Sequence, residues 1–217
     1  MSVPDIIPPR VIKEVHKEIQ PVSLPEDILR AHAGVYSSGF SFLTISVKDG
    51  SLVMNRDNRH FLLKALSENE FVPYEKVGPD SLAEKTKERY CFINSDNFHM
   101  LFHEAGNKET RLVYRLNEFN TSLMNKKLGR YEHFGYQLLT GDTKFKGAKL
   151  YLEGGVLMLK LIAYDGEYPF PLNVISEEYA VTSKMGTGMA FTVKFSDDDN
   201  YDIIDFGGIK FRKKLND

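Results

Sequence analysis

From Val35 onward, apolar and polar residues alternate with a period of two. Leu43, Ile45 and Val47 alternate with Thr44 and Ser46. Asp49-Gly50 then supplies the positive-φ residues of a tight hairpin, and Leu52 and Met54 continue on the return strand. Glu153-Gly154-Gly155 repeats the device. Phe191, Val193 and Phe195 alternate with Thr192 and Lys194, and Ile209 and Phe211 with Lys210 and Arg212. Strands with one wet face belong to antiparallel meanders. At this density of strands and turns the pattern predicts a sandwich or an up-and-down barrel, and closure into a barrel removes the edges that a small meander would expose.

Before residue 29 the pattern is different. Prolines at 4, 8, 9, 21 and 25 punctuate one helical stretch, Arg10 to Ile19, in which Val11, Ile12, Val15 and Ile19 form an apolar stripe opposite Lys13, Glu14, Lys17 and Glu18. Such a stripe must be buried, either on the rest of this chain or on a partner. Leu29 to Ala31 reads as a second short helical turn.

The β region says the same thing twice. Ala33-Gly34-Val35-Tyr36 returns as Leu128-Gly129-Arg130-Tyr131, and Ile45, Val47, Gly50, Leu52 and Met54 align with Leu150, Leu152, Gly155, Leu157 and Leu159. Both copies close alike, on Leu112-Val113-Tyr114-Arg115 and Ile209-Lys210-Phe211-Arg212. A repeat governs the fold before any motif does. The expected organisation is a lead-in at 1–28, a first β-barrel unit at 29–122 and a second at 123–217. The fold class is mainly β, two tandem antiparallel barrels or half-barrels behind a short helix.

Composition narrows the functions. In 217 residues, 42% are apolar and 12% aromatic, enough to build real cores. The 28 basic and 30 acidic residues nearly cancel, to a net charge of −2, without a Lys/Arg stripe, so neither nucleic acid nor an anionic membrane is an expected partner. No run approaches the ~20 apolar residues that span a bilayer, and the first residues lack a signal-peptide layout, so the chain as written is expected to be cytoplasmic, unless it is a fragment whose true N-terminus has been removed. The single cysteine, Cys91, sits in an apolar run and reads as a small buried thiol.

The remaining motifs favour bland readings. His99 and His103 are four apart, which on a strand separates them by about 13 Å at a rise of ~3.3 Å per residue, too far to share one ion. Ser196-Asp197-Asp198-Asp199-Asn200-Tyr201-Asp202 lacks the glycine and glutamate of a calcium loop and reads as a solvated hairpin turn. Gly186-Thr187-Gly188 has no following helix to cradle phosphate. No metal or cofactor is therefore expected. In Tyr164-Asp165-Gly166-Glu167-Tyr168-Pro169-Phe170-Pro171 the rings of Tyr164, Tyr168 and Phe170 are candidates for a partner contact or a barrel mouth, since aromatic side chains give large contact area at low entropic cost. With Val11, Val15 and Ile19 they make up the candidate contact residues; no ligand-binding or catalytic residue is assigned.

The order Leu29…Gly34-Val35-Tyr36, Ile45-Ser46-Val47-Lys48-Asp49-Gly50-Ser51-Leu52, Leu66…Phe71 and Tyr114-Arg115 resembles the lipocalin-like C-terminal module of beta-lactamase-like serine hydrolases, including D-aminopeptidase-type members with two such barrels. The second copy repeats it through Leu128-Gly129-Arg130-Tyr131, Leu150 to Gly155, Ile175…Tyr179 and Phe211-Arg212. The family's Ser-x-x-Lys nucleophile motif is not matched. Ser81…Lys85 and Ser122…Lys126 each have one residue too many, and Lys184-Met185-Gly186 serves no nucleophile. The resemblance thus implies an accessory module without its hydrolase: not an enzyme, partnered by a serine-hydrolase catalytic domain if the chain is a fragment, or by itself. The alternative is a stand-alone, calycin-like carrier of a small apolar ligand.

Overall fold

The computed structural model describes residues 21–37, 39–76, 82–85, 88–95, 98–104, 110–135, 144–182 and 190–214. The lead-in helix stripe of Val11, Val15 and Ile19 lies outside them, as do Ser81, Lys184 and Gly186-Thr187-Gly188. The described fold is mainly β, and its two helices are both short. None of the described helices is long and apolar enough to cross a membrane.

The first unit opens with α1 (Glu26–His32), whose acidic first turn and basic last turn suit the helix dipole. Its strands are β1 (Gly34–Ser37), β2 (Phe42–Lys48), β3 (Ser51–Arg56), β4 (Arg59–Ala65), β5 (Glu70–Lys76), β6 (Leu82–Lys85), β7 (Arg89–Ser95), β8 (Phe98–Glu104) and β9 (Thr110–Arg115). They form one sheet in the order β4-β3-β2-β1-β9-β8-β7-β5-β6. The sheet curls until β4 also pairs with β5, with β6 attached to β5 outside that turn.

A 3-10 helix (Thr121–Lys127) opens the second unit. It is followed by β10 (Gly129–Phe134), β11 (Phe145–Glu153), β12 (Val156–Ala163), β13 (Glu167–Ser176), β14 (Tyr179–Thr182), β15 (Thr192–Asp197), β16 (Tyr201–Phe206) and β17 (Ile209–Lys214), which close into an eight-stranded barrel.

The registers of the two units coincide. Gly34 pairs with Ile45 and Ile45 with Met54; Gly129 pairs with Leu150 and Leu150 with Leu159. The Asp49-Gly50 turn has φ of 51° and 69°, and Gly154-Gly155 has 57° and 82°, the left-handed pair that matches hairpin twist.

Each unit ties its helical lead-in to its last strand in the same way. Gly34 (φ +153°) and Gly129 (φ +140°) leave room for a long cationic side chain: a Cβ on Gly34 would lie 2.5 Å from Arg115 Nε, and one on Gly129 3.1 Å from Lys213 Cδ. Arg115 donates to the Ala31 carbonyl at 3.1 Å, and Lys213 Nζ to the Lys126 and Leu128 carbonyls at 2.7 and 3.1 Å. Both cations thereby satisfy carbonyls at the end of a helix, where intrahelical partners run out.

The cores follow from the alternation. Tyr36, Leu52, Met54, Phe61, Phe71, Tyr90 and Leu101 fill the curled sheet. Met124, Leu150, Leu157, Leu159, Ile204 and Phe211 are among those filling the barrel. His32, at the end of α1, is buried with them, stacked on Phe92 at 4.2 Å, its Nε2 2.8 Å from the Glu68 carbonyl.

Two expectations need correction. Cys91 is exposed rather than buried, because Tyr90 and Phe92 take the inward positions of β7 and period two turns the residue between them out. Asp202 is not part of a solvated turn. It stands inside β16 opposite Lys213, buried, with Lys213 Nζ 2.9 Å from its Oδ2. The turn itself is built by Asp198, whose Oδ1 accepts from the amides of Asn200 and Tyr201 at 2.9 and 2.8 Å.

Candidate functional site

The outer faces of β1 and β2 pack through Val35 and Phe42 on the outer face of β12, with Tyr151 of β11 beside them. Strand β12 departs from strict alternation: Val156, Leu157, Met158 and Leu159 are all buried. Leu157 and Leu159 point into the barrel. Val156 and Met158 point out and form a third apolar cluster with Leu116, against which Val35, Phe42 and Tyr151 pack. Gly154 lies beside the Phe42 ring, and the Asn117 amide donates to Asn173 Oδ1 at 2.7 Å across the seam.

Beside this cluster the seam opens into a cleft of about 830 Å³. Its apolar surface comes from Phe40, Phe42, Met158 and Pro169; its polar rim includes Asn55, Asp57, Asn58 and Glu153. Asp57 and Asn58 form the β3–β4 turn with φ of 51° and 61°, a conformation that Asp and Asn tolerate better than most residues.

Two cations face the cleft, and both are matched by carboxylates. Arg56 engages Glu88 through Nη1 at 3.1 Å and Nη2 at 3.3 Å, and donates to the Tyr90 hydroxyl. Burial works against its charge, but Glu88, Tyr90 and Asp57 together outweigh this and hold the guanidinium pKa above its ordinary value. Burial also pushes the Tyr90 phenol well above its usual range, against the pull of Arg56. Lys160 Nζ donates to Glu167 at 2.8 Å; that bond raises the ammonium pKa and lowers the carboxyl's. The His60 ring bonds Asn55 Oδ1 through Nδ1.

The aromatic candidates divide by position. Tyr164 is 72% exposed, with Lys146 Nζ 4.2 Å from its ring centroid. Tyr168 is half-buried and donates to Asp165 at 3.0 Å; Phe170 is buried in the barrel core. Phe40 of the first unit meets both, with ring centroids 6.4 Å from Tyr168 and 5.1 Å from Phe170. Contact occurs along the part of β13 that pairs with β12, before its pairing with β14 begins at Leu172.

Ser122 is tied up in the cap of its own 3-10 helix: Asn120 is the N-cap, and its Oδ1 accepts from the Ser122 amide and, at 2.6 Å, from the Ser122 hydroxyl. His99 and His103 lie on strand β8, as their alternation predicts, and their side chains fall outside the described residues. Among the described residues no three His, Cys, Asp or Glu side chains gather as metal ligands. Sequence reasoning missed the seam altogether. Its one available signal was the outward apolar pair Val156 and Met158, which a solvated β12 would not carry.

No protein-family model matches this chain, and no curated protein matches it. Two solved chains do. One is the octameric penicillin-binding protein homologue from Pyrococcus abyssi, with a TM-score of 0.30 and 11% identity, matched over 78% of this chain and 37% of that one. The present chain therefore spans little more than a third of that protein, and a likeness this distant carries no functional argument.

Proposed function

We propose that this chain is a non-catalytic interaction module of the lipocalin-like kind that accompanies beta-lactamase-like serine hydrolases, working through its outer surfaces. The observation that supports this reading is how the interiors are used. Leu52, Met54, Phe61 and Phe71 in the first unit, and Leu150, Leu157, Leu159 and Phe211 in the second, are at most 1% exposed. These inward positions, where a calycin-like carrier would hold an apolar ligand, are occupied by the protein's own side chains. Recognition then falls to the seam and the outer walls. The partner implied by the sequence resemblance is a serine-hydrolase catalytic domain or a second copy of the chain.

Native mass spectrometry on the purified protein, paired with labelling by a fluorescent penicillin and a fluorophosphonate, tests the reading. The expected result is the bare mass of a monomer or defined oligomer, with no covalent adduct. A co-purified small molecule would favour the ligand carrier, and an acylated or phosphonylated serine would make the chain an enzyme.

A further inference from the structure

We infer that the cleft between the two units binds a neutral oligosaccharide. This rests on the module reading and names what one of its outer surfaces holds. The volume of about 830 Å³ falls in the range of roughly 300 to 1,000 Å³ typical of small-molecule sites. The lining then decides the chemistry.

The cleft's two cations are matched before any ligand arrives. Arg56 is held by Glu88 and Lys160 by Glu167, so a phosphate or other anion would have to compete with a carboxylate already in place. What faces the opening is a set of short planar polar groups, Asn58 and the 72%-exposed Asp57 among them, beside the 44%-exposed Phe40 ring. An apolar ligand would strip water from the amides and carboxylates without replacing their hydrogen bonds. A pyranose satisfies both halves: its C–H face packs on an aromatic ring, and its adjacent hydroxyls donate to carboxylates and exchange hydrogen bonds with amides.

Placement is also fixed in advance. Asp57 and Asn58 occupy a two-residue hairpin turn between paired strands, with Arg56 opposite Arg59 in the register. The short turn fixes the backbone beneath these groups, so binding has only their side-chain rotations to order.

The experiment is titration of the whole chain with maltotriose, cellotriose and triacetylchitotriose, followed by calorimetry and by amide shifts. At least one is expected to bind and to move the Phe40 and Asn58 amides. Asp57→Asn keeps a residue suited to the left-handed turn, and Phe40→Leu keeps apolar contact at the seam while removing the ring. Each should weaken binding at least about tenfold while circular dichroism stays unchanged. If none of the three sugars binds, or if both folded variants bind like the parent, the cleft is not a saccharide site. The sugar should be recovered intact; cleavage that Phe40→Leu suppresses would uphold the saccharide site and overturn the non-catalytic reading instead.

Discussion

The hydroxyl of Tyr131 donates to the main-chain carbonyl of Lys127, four residues upstream, at 2.5 Å. Tyr36 makes the same bond to His32 at 2.9 Å. In each unit a buried phenol from the first strand therefore holds the end of the helical lead-in. Tyr131→Phe and Tyr36→Phe should each cost about 1 kcal/mol, more if the freed carbonyl stays dry. Urea unfolding measures this, and a loss confined to one of the two would show that the bonds are not equivalent.

Those phenols also make the fold sensitive to alkali. Burial raises the Tyr36 pKa to about 12, against the lowering effect of Arg115, and raises Tyr90 and Tyr131 in the same direction. A folded-state pKa above the unfolded value near 10 means that the native state keeps protons the unfolded state has lost. Stability is then intact below pH 10 and falls as the pH climbs through 12. Tyrosinate absorbance at 295 nm should show a group of tyrosines ionising only with loss of the native circular dichroism. Ionisation of all eleven near pH 10 in a folded protein would contradict this.

Lys213 and Asp202 form a pair whose side chains are 14% and 8% exposed. Lys213→Met leaves the Asp202 carboxylate buried without its cation and two carbonyls without their donor, a loss expected at about 3 kcal/mol or more. Lys213→Met combined with Asp202→Leu should be less damaging than the two single changes summed. Additivity in that double-mutant cycle would mean that the pair is not coupled.

Val156 carries the seam. Val156→Asp puts a charge on the outer face of β12 against Leu116, Val35 and Phe42. The barrel faces inward through other residues, so the expected outcome is a folded but expanded chain, read as retained far-UV circular dichroism with a larger radius of gyration in X-ray scattering. An unchanged radius would show that the units stay docked without this contact.

Cys91 should react with a thiol reagent in the native protein, one equivalent per chain, because it is exposed and is the chain's single cysteine. Burial of its surroundings, and then Glu70, raise the thiol pKa, so the rate should be slower than for a free thiol. Reaction only in denaturant would place the side chain inward.

Much of the architecture was legible in the chain. Period-two alternation gave inward sides to residues such as Leu43, Ile45, Leu52 and Met54, and the repeated glycine, turn and closing positions predicted two units. The alternation also carried the correction for Cys91, since Tyr90 and Phe92 flank it. The apolar run around it pointed the other way, because hydrophobicity averaged over a window hides which face each residue takes. The contact candidates show the opposite limit: Tyr168 and Phe170 are aromatic neighbours in sequence, yet what they touch, Phe40, comes from another unit.

Local pattern determined the strands, the hairpins at Asp49-Gly50 and Gly154-Gly155, and the division into two β units, because strand period and turn geometry are set by a few adjacent residues. Only the tertiary structure decided that β1 and β2 lie on β12, that Asp202 meets Lys213, and that a cleft opens beside Phe40. Those relationships join residues far apart in the chain through packing of two separately patterned surfaces. Alternation fixes which side of a strand faces outward, but not which other surface will cover it.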